Sequence, residues 1–186
     1  GKKNRPYVES DLENPINIYG LSKYYGEKLI KLYSKNYLII RLTSLYSEFP
    51  CRAKKGMNFI DKMIDLYTRK KNISVNDLRI SPTYVHDAAK QIKKIYKLIN
   101  NQTIHLASEG STTWFGLSKF VFSELKIKKK IKKVKNFDND QIKRPKYTVI
   151  KNEYLKKKNL NIMPNWKTSV RKYLKKKNYN LFNPNQ

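Results

Sequence analysis

Apolar residues along the chain recur at two different spacings, and their alternation predicts a mixed α/β architecture. Between Asn17 and Ser34 the residues Leu21, Tyr25, Leu29 and Leu32 return every three or four positions, which puts them on one stripe of a helix. The run "YLIIRL" at 37–42 is short, unbroken and apolar, the signature of a strand buried on both faces of a parallel sheet, and it ends in the polar turn "TSLYSEF". A second amphipathic helix carries Ile60, Met63, Ile64 and Tyr67 on one side. Next come a short strand "ISV" at 73–75, a loop around Pro82, "TYV", and a helix over 87–99 that Asp87 is placed to cap. "TIHLAS" predicts another buried strand, and "STTWFGLSKFVFSEL" a helix opened by a Ser/Thr cap. "KIKKKIKKVKNF" reads as an edge strand or as a solvated basic loop, and one or two helices surround "PNWKTSVRKYLKKK". Strands alternating with helices at this pitch imply βαβ units. Residues 1–16, polar and broken by Pro6 and Pro15, predict a surface loop.

Composition narrows the classes. A length of 186 residues suits one domain with a substantial core, and a first residue that is glycine rather than methionine suggests a fragment or a processed form. Lysine and arginine number 41 against 14 acidic residues, a formal charge of +27, which first suggests a polyanionic partner. The basic residues are 34 lysines to 7 arginines, however, whereas readers of phosphate and base edges rely on the arginine fork. Asparagine and isoleucine, which share A/T-rich codons with lysine, are inflated as well, so most of the charge reads as compositional drift on a solvated surface. Nucleic-acid binding is therefore the weaker reading, although the field still attracts phosphorylated ligands. The single cysteine, Cys51, excludes an internal disulfide framework, and His86 and His105 alone make no zinc-ligand pattern. No apolar run approaches the roughly 18 to 20 residues of a membrane span, and the N-terminal residues lack a signal-peptide core; a cytoplasmic protein without membrane partners is the expectation.

The candidate chemistry lies in "PINIYGLSKYYGEKLIKLY", where Tyr19 and Lys23 stand four residues apart and share a helix face. An ammonium a few ångströms from a phenol favours the phenolate, which suits a tyrosine to general acid catalysis near neutrality. Spacing alone does not select this pair: five others exist, Tyr24/Lys28, Tyr67/Lys71, Tyr147/Lys151, Tyr154/Lys158 and Tyr173/Lys177. Nor do the six glycines, at positions 1, 20, 26, 56, 110 and 116, form the glycine-rich turn of a dinucleotide-binding fold. Either the chain serves no dinucleotide chemistry or the first half of such a fold is missing.

The order of segments decides between these. "PINIYGLSKYYGE", "IIRLTSLYSEF", "GMNFIDKM", "SPTYVHDAAKQI", "IHLASEGSTTWFGLSKF" and "RPKYTVIKNEYLKKKNLNIMPNW" follow one another as in extended short-chain dehydrogenases/reductases, and the chain most closely resembles the C-terminal two thirds of the dTDP-4-dehydrorhamnose reductase family. The resemblance implies the C-terminal part of a Rossmann-like α/β fold with parallel strands and a small substrate-binding subdomain. It makes 1–186 a single partial domain, with 1–50 the remainder of the dinucleotide-binding core and 51–186 mainly the substrate-binding portion with interleaved core strands. The glycine fingerprint and the family's Ser/Thr that orients the carbonyl would then lie upstream of Gly1. The activity implied is NAD(P)H-dependent reduction of a 4-keto sugar nucleotide, dTDP-4-dehydro-L-rhamnose first of all, in cell-surface polysaccharide synthesis.

In that family Tyr19 would be the proton donor and Lys23 its partner and the holder of the cofactor ribose. Thr43 would join them at the cofactor, and Ser44, Asn58, Arg79 and Arg144 would meet the substrate. Family members often carry tryptophan near the position of Ser44, so the exact sugar is left open. Trp114 and Trp166 read as core, and His86 as a surface or loop residue without a role. The cofactor is NADPH or NADH; magnesium is compatible with the family but nothing in the sequence indicates it, and a homodimer is equally compatible. Rival readings are a related sugar-nucleotide epimerase or dehydratase, and a non-catalytic regulatory subunit of the same fold, as in the methionine adenosyltransferase β subunit.

Overall fold

The structure, a computed structural model, describes residues 3–50, 56–69, 72–134 and 145–179. The elements follow the predicted alternation. Helix α1 (Ile18–Tyr33) leads to strand β1 (Leu38–Leu42) and the short β2 (Leu45–Tyr46), and α2 (Phe59–Arg69) to β3 (Ile73–Asn76), β4 (Arg79–Ile80) and β5 (Thr83–Tyr84). Then come α3 (Val85–Ile95), β6 (Gln102–Leu106), β7 (Thr112–Thr113), α4 (Trp114–Glu124), β8 (Ile131–Val134), α5 (Glu153–Lys157) and α6 (Trp166–Lys176). Strands pair as β1 with β6, β2 with β5 and β3 with β8, all parallel, and β4 with β7 antiparallel. Parallel pairs joined through helices are what βαβ units produce. The lysine-rich stretch left open between strand and loop thus contains a strand, at residues 131–134.

Two apolar cores hold these elements. The larger gathers Ile60 and Met63 from α2, Leu117 and Val121 from α4, and Val170 and Tyr173 from α6. The smaller packs α3 and α5 on β6 through Ala88, Ile95, Ile104, Leu106 and Leu155. Of the stripe expected on α2, Ile60, Met63 and Ile64 are buried and Tyr67 packs half-buried against the same core. Helix α4 is opened as expected by a threonine: Thr113 accepts a hydrogen bond from the backbone N–H of Gly116 at 3.0 Å.

Three expectations are corrected. Asp87 is no cap. It sits in the first turn of α3, buried, where its carboxylate accepts hydrogen bonds from Ser169 Oγ (2.6 Å) and Lys172 Nζ (3.0 Å), so that it ties α3 to α6. His86, expected at the surface or in a loop without a role, is a partly exposed residue of α3 that does have a partner, with Nε2 2.6 Å from Glu48 Oε1. Strand β1 is not buried on both faces. Only Ile39 of its five residues is buried, its one neighbour is β6, and among the described residues nothing pairs with its other edge.

Helix α1 shows the same openness. Asn17 caps it, accepting from the N–H of Gly20 at 2.8 Å, yet none of its residues is buried. Gly20, Tyr24, Glu27 and Lys31, all half-buried, lie together on the side turned to the body, and Arg41 of β1 donates to Glu27 at 2.8 Å from that side. The predicted stripe of Leu21, Tyr25, Leu29 and Leu32 lies in solvent.

Candidate active site

A cavity of about 410 Å³ opens at the C-terminal end of β1, the end at which open α/β sheets take their ligands. Leu42, Thr43 and Ser44 enter it from the end of that strand, Leu45 and Tyr46 from β2, and Tyr19 from the first turn of α1. Phe59 and Ile60 open α2 on another part of the wall, Leu78 and Ile80 flank Arg79, and Trp114 and Leu117 come from α4. Most of the lining is apolar, and a few hydroxyls supply direction, as in small-molecule sites generally.

Tyr19 owes its place to the local fold. The cap at Asn17 starts the helix one residue before Ile18, and Gly20 lets Pro15 lie against the first turn: a Cβ there would meet Pro15 Cβ at 3.2 Å. The Tyr19 side chain remains 72 % exposed, so its hydroxyl is not sealed in apolar packing. Lys23 places Nζ 5.5 Å from the centroid of the Tyr19 ring, on the same side of the helix. The neighbouring pair does the same, with Lys28 Nζ 5.0 Å from the Tyr24 ring. Contact between amine and phenol therefore separates nothing; Tyr19 lines the cavity and Tyr24 does not. Tyr173 of a third pair is buried, donates its hydroxyl to Asp61 and has its phenol pushed far up by burial and that carboxylate, which removes it as an acid.

Thr43 and Ser44 bring their hydroxyls within 3.3 Å of each other. Ser44 has φ +49°, a left-handed conformation that non-glycine residues rarely adopt, and its carbonyl accepts from the N–H of Thr83 at 3.1 Å. Strain of this kind concentrates where a chain is held for a ligand.

The other expected substrate residues are not brought to the cavity. Asn58 is buried beside it: its Oδ1 accepts from the N–H groups of Ile60 (2.8 Å) and Asp61 (3.1 Å), capping α2, while Nδ2 donates to Ser47 O (2.8 Å) and meets the Tyr173 hydroxyl (2.7 Å). Arg79 is exposed, and strand alternation turns it away from the cavity that its neighbours Leu78 and Ile80 line. Arg144 lies outside the described residues.

The aromatic side chains contributed more than the sequence disclosed. Trp166 is buried, 5.0 Å from Phe120, as a core residue should be. Trp114 is half-buried on the cavity wall beside Phe59. A further cluster has no signature in the sequence: Glu48 accepts from Lys176, from His86 and from the Tyr84 hydroxyl (3.1 Å). Burial would raise the Glu48 carboxyl, but these hydrogen bonds outweigh it and hold the group at about 2. Among the described residues no group of three or more His, Cys, Asp or Glu side chains is arranged to hold a metal ion, and no helix is long and apolar enough to cross a membrane.

With the geometry in place, comparison with known proteins is decisive at the level of family. The model of the RmlD substrate binding domain matches residues 1–179. The chain belongs to that family. Among its relatives, a dTDP-4-keto-6-deoxy-D-glucose reductase of Streptomyces niveus is 31 % identical over 176 residues, covering 91 % of this chain and 58 % of the relative. The dTDP-4-dehydrorhamnose reductase of Escherichia coli (strain K12) is 31 % identical over 130 residues, which cover 67 % of this chain and 42 % of that protein. The crystal structure of dTDP-4-dehydrorhamnose reductase from Bacillus anthracis in complex with NADP superposes with a TM-score of 0.85 at 31 % identity, covering 95 % of this chain and 61 % of that one. The fold is thus the α/β fold of the RmlD family and of the extended reductases, and this chain spans about three fifths of the length of the first relatives it matches.

Proposed function

We propose that this RmlD-family chain is the substrate-binding part, with the proton-donating helix, of an NAD(P)H-dependent reductase of a 4-keto sugar nucleotide, dTDP-4-dehydro-L-rhamnose being the first candidate. The observation that carries the reading is Tyr19: an accessible phenol, accompanied by the Lys23 ammonium, on the wall of a cavity at a parallel strand end. A nicotinamide dinucleotide, when bound, supplies the hydride. The chain's own part is to hold the sugar in the cavity and to present the Tyr19 O–H to the ketone oxygen as charge develops on it, with the Lys23 ammonium beside the ring. Tyr19 and Lys23, both accessible on α1, also suit the ribose of the cofactor, with Thr43 lining the same cavity as Tyr19. Residues 1–50 are then the remainder of the dinucleotide-binding core and 51–186 mainly the substrate portion. The open edge of β1 and the apolar stripe of α1 are surfaces that the rest of such a core can cover. The same reading makes the enzyme cytoplasmic, compatible with a homodimer, and gives nucleic acid no role.

The test follows NADPH absorbance with a dTDP-4-keto-6-deoxy sugar. The protein carrying this chain together with a complete dinucleotide core is expected to oxidise NADPH and yield the 4-hydroxy sugar, and the 186-residue chain alone is expected to do neither. Production of an epimerised or dehydrated sugar without net NADPH consumption would assign the protein to another activity.

A further inference from the structure

A helix is ordinarily held in place by packing one apolar face. Helix α1, which carries Tyr19, lacks that support: none of its sixteen residues is buried, and its apolar stripe lies in solvent. Its placement therefore falls to polar contacts. Arg41 of β1 supplies them at two points. Its Nε donates to Glu27 Oε1 at 2.8 Å and its Nη2 to Glu27 Oε2 at 2.6 Å, a paired grip on the side of α1 turned to the body. The same Nη2 donates to Glu13 Oε1 at 2.5 Å. Glu13 precedes Tyr19 in the chain and Glu27 follows it, so one guanidinium fastens the backbone on both sides of the phenol.

The three side chains are only 18–27 % exposed, so water screens them less than it screens a surface pair. Burial by itself would raise the Glu13 carboxyl, yet its hydrogen bonds, one of them to Arg41, lower it and keep it charged at neutral pH. Without the guanidinium two half-buried carboxylates would be left facing one place. Arg41 itself does not line the cavity, but the residues that follow it, Leu42, Thr43 and Ser44, do. A second paired grip, Arg171 on Glu124 with both contacts at 2.9 Å, joins α6 to α4, where apolar side chains of both helices share the larger core. That pair is an addition to packing; the grip of Arg41 on α1 stands in its place.

We infer that Arg41 is a positioning residue for the proton donor: by holding Glu27 and Glu13 it fixes α1 against the end of β1 and keeps Tyr19 on the cavity wall with Thr43 and Ser44. The link to proton delivery rests on the reductase reading above, whereas the anchoring of α1 is tested without it. Amide hydrogen exchange of the 186-residue chain reads the anchor. Arg41→Gln should speed exchange along the middle of α1 by about tenfold or more and leave α6 unchanged. Arg41→Lys, which keeps the charge and loses the fork, should fall between. Arg171→Gln should change neither helix by more than about twofold. If Arg41→Gln fails to fold, Glu27→Gln cuts the grip while Glu13 stays paired, and should loosen α1 by about a few-fold. Kinetics with the dinucleotide core complete read the consequence: Arg41→Gln should lower kcat by about ten- to a hundredfold and leave KM for the keto-sugar nucleotide within about threefold. The solvent deuterium isotope effect on kcat should rise, because delivery from a displaced Tyr19 is slow; a mere shortage of folded protein would leave it where it was. Exchange in α1 that ignores both Arg41→Gln and Glu27→Gln, or equal acceleration in α1 and α6, would overturn the anchor. A loosened α1 with the parent kcat and isotope effect would overturn the positioning role. If the parent protein reduces no keto sugar, the reductase reading falls, and the exchange contrast still decides whether Arg41 holds α1.

Discussion

Helices α1 and α6 carry apolar residues at the same kind of spacing and end differently. Along α6, Trp166, Val170, Tyr173 and Leu174 are buried against α2 and α4; along the longer α1 no residue is buried, and Leu29 and Leu32 are 54 % and 72 % exposed. A periodic stripe states that one face of a helix gains by being covered. Whether a cover exists depends on elements far away in sequence, and for α6 these are within the chain. For α1 the body supplies contact only on the side of Gly20, Tyr24, Glu27 and Lys31. Stability should therefore reside in the α2–α4–α6 core, while the face that bears Tyr19 stays open for whatever completes it.

The sharpest way to break this comparison is to truncate one leucine on each helix. Leu174→Ala, in the core, should cost about 2–5 kcal/mol in urea unfolding of the chain. Leu29→Ala should cost less than about 0.5 kcal/mol. Equal losses would mean that α1 is packed after all. A smaller effect, sharpening the comparison from the α6 side, comes from acid. The Glu48 carboxyl, held at about 2 against an ordinary 4.5, binds loop residue Glu48 to Lys176 of α6. A carboxyl depressed in the folded state contributes stability that is complete above its unfolded value and is lost as pH falls toward its folded value. The contribution should thus fade between pH 4.5 and about 2, by at most about 1 kcal/mol because Lys176 is half exposed and water screens the pair. Denaturation midpoints measured across that range should lose this increment in the parent chain and show none of it in Glu48→Gln.

Legibility in the sequence followed the range of the interaction concerned. The alternation of strands and helices, the stripe of Ile60, Met63 and Ile64, and the threonine cap of α4 are local, and all are visible in the residues themselves. Asp87 reads as a cap because nothing local shows that Ser169 and Lys172 wait 82 and 85 positions away. Asn58 reads as a ligand residue from its segment alone, its structural partner Tyr173 standing 115 positions on. Trp114 reads as core from its apolarity, yet it reaches the cavity wall because β4 and β7 pair across more than thirty residues and leave α4 starting beside Leu78. The Tyr19/Lys23 pair stands apart through the order of the surrounding segments and not through its spacing. The equal contact made by Tyr24 and Lys28 shows why spacing had no power to do so.

The central claim is that the Tyr19 hydroxyl delivers the proton to the sugar ketone, and steady-state kinetics of Tyr19→Phe tests it most directly. With the dinucleotide core complete, the account predicts a fall in kcat of about 10² to 10⁴ fold, the usual worth of a positioned acid, with thymidine diphosphate affinity unchanged. Turnover within a few-fold of the parent protein would contradict it.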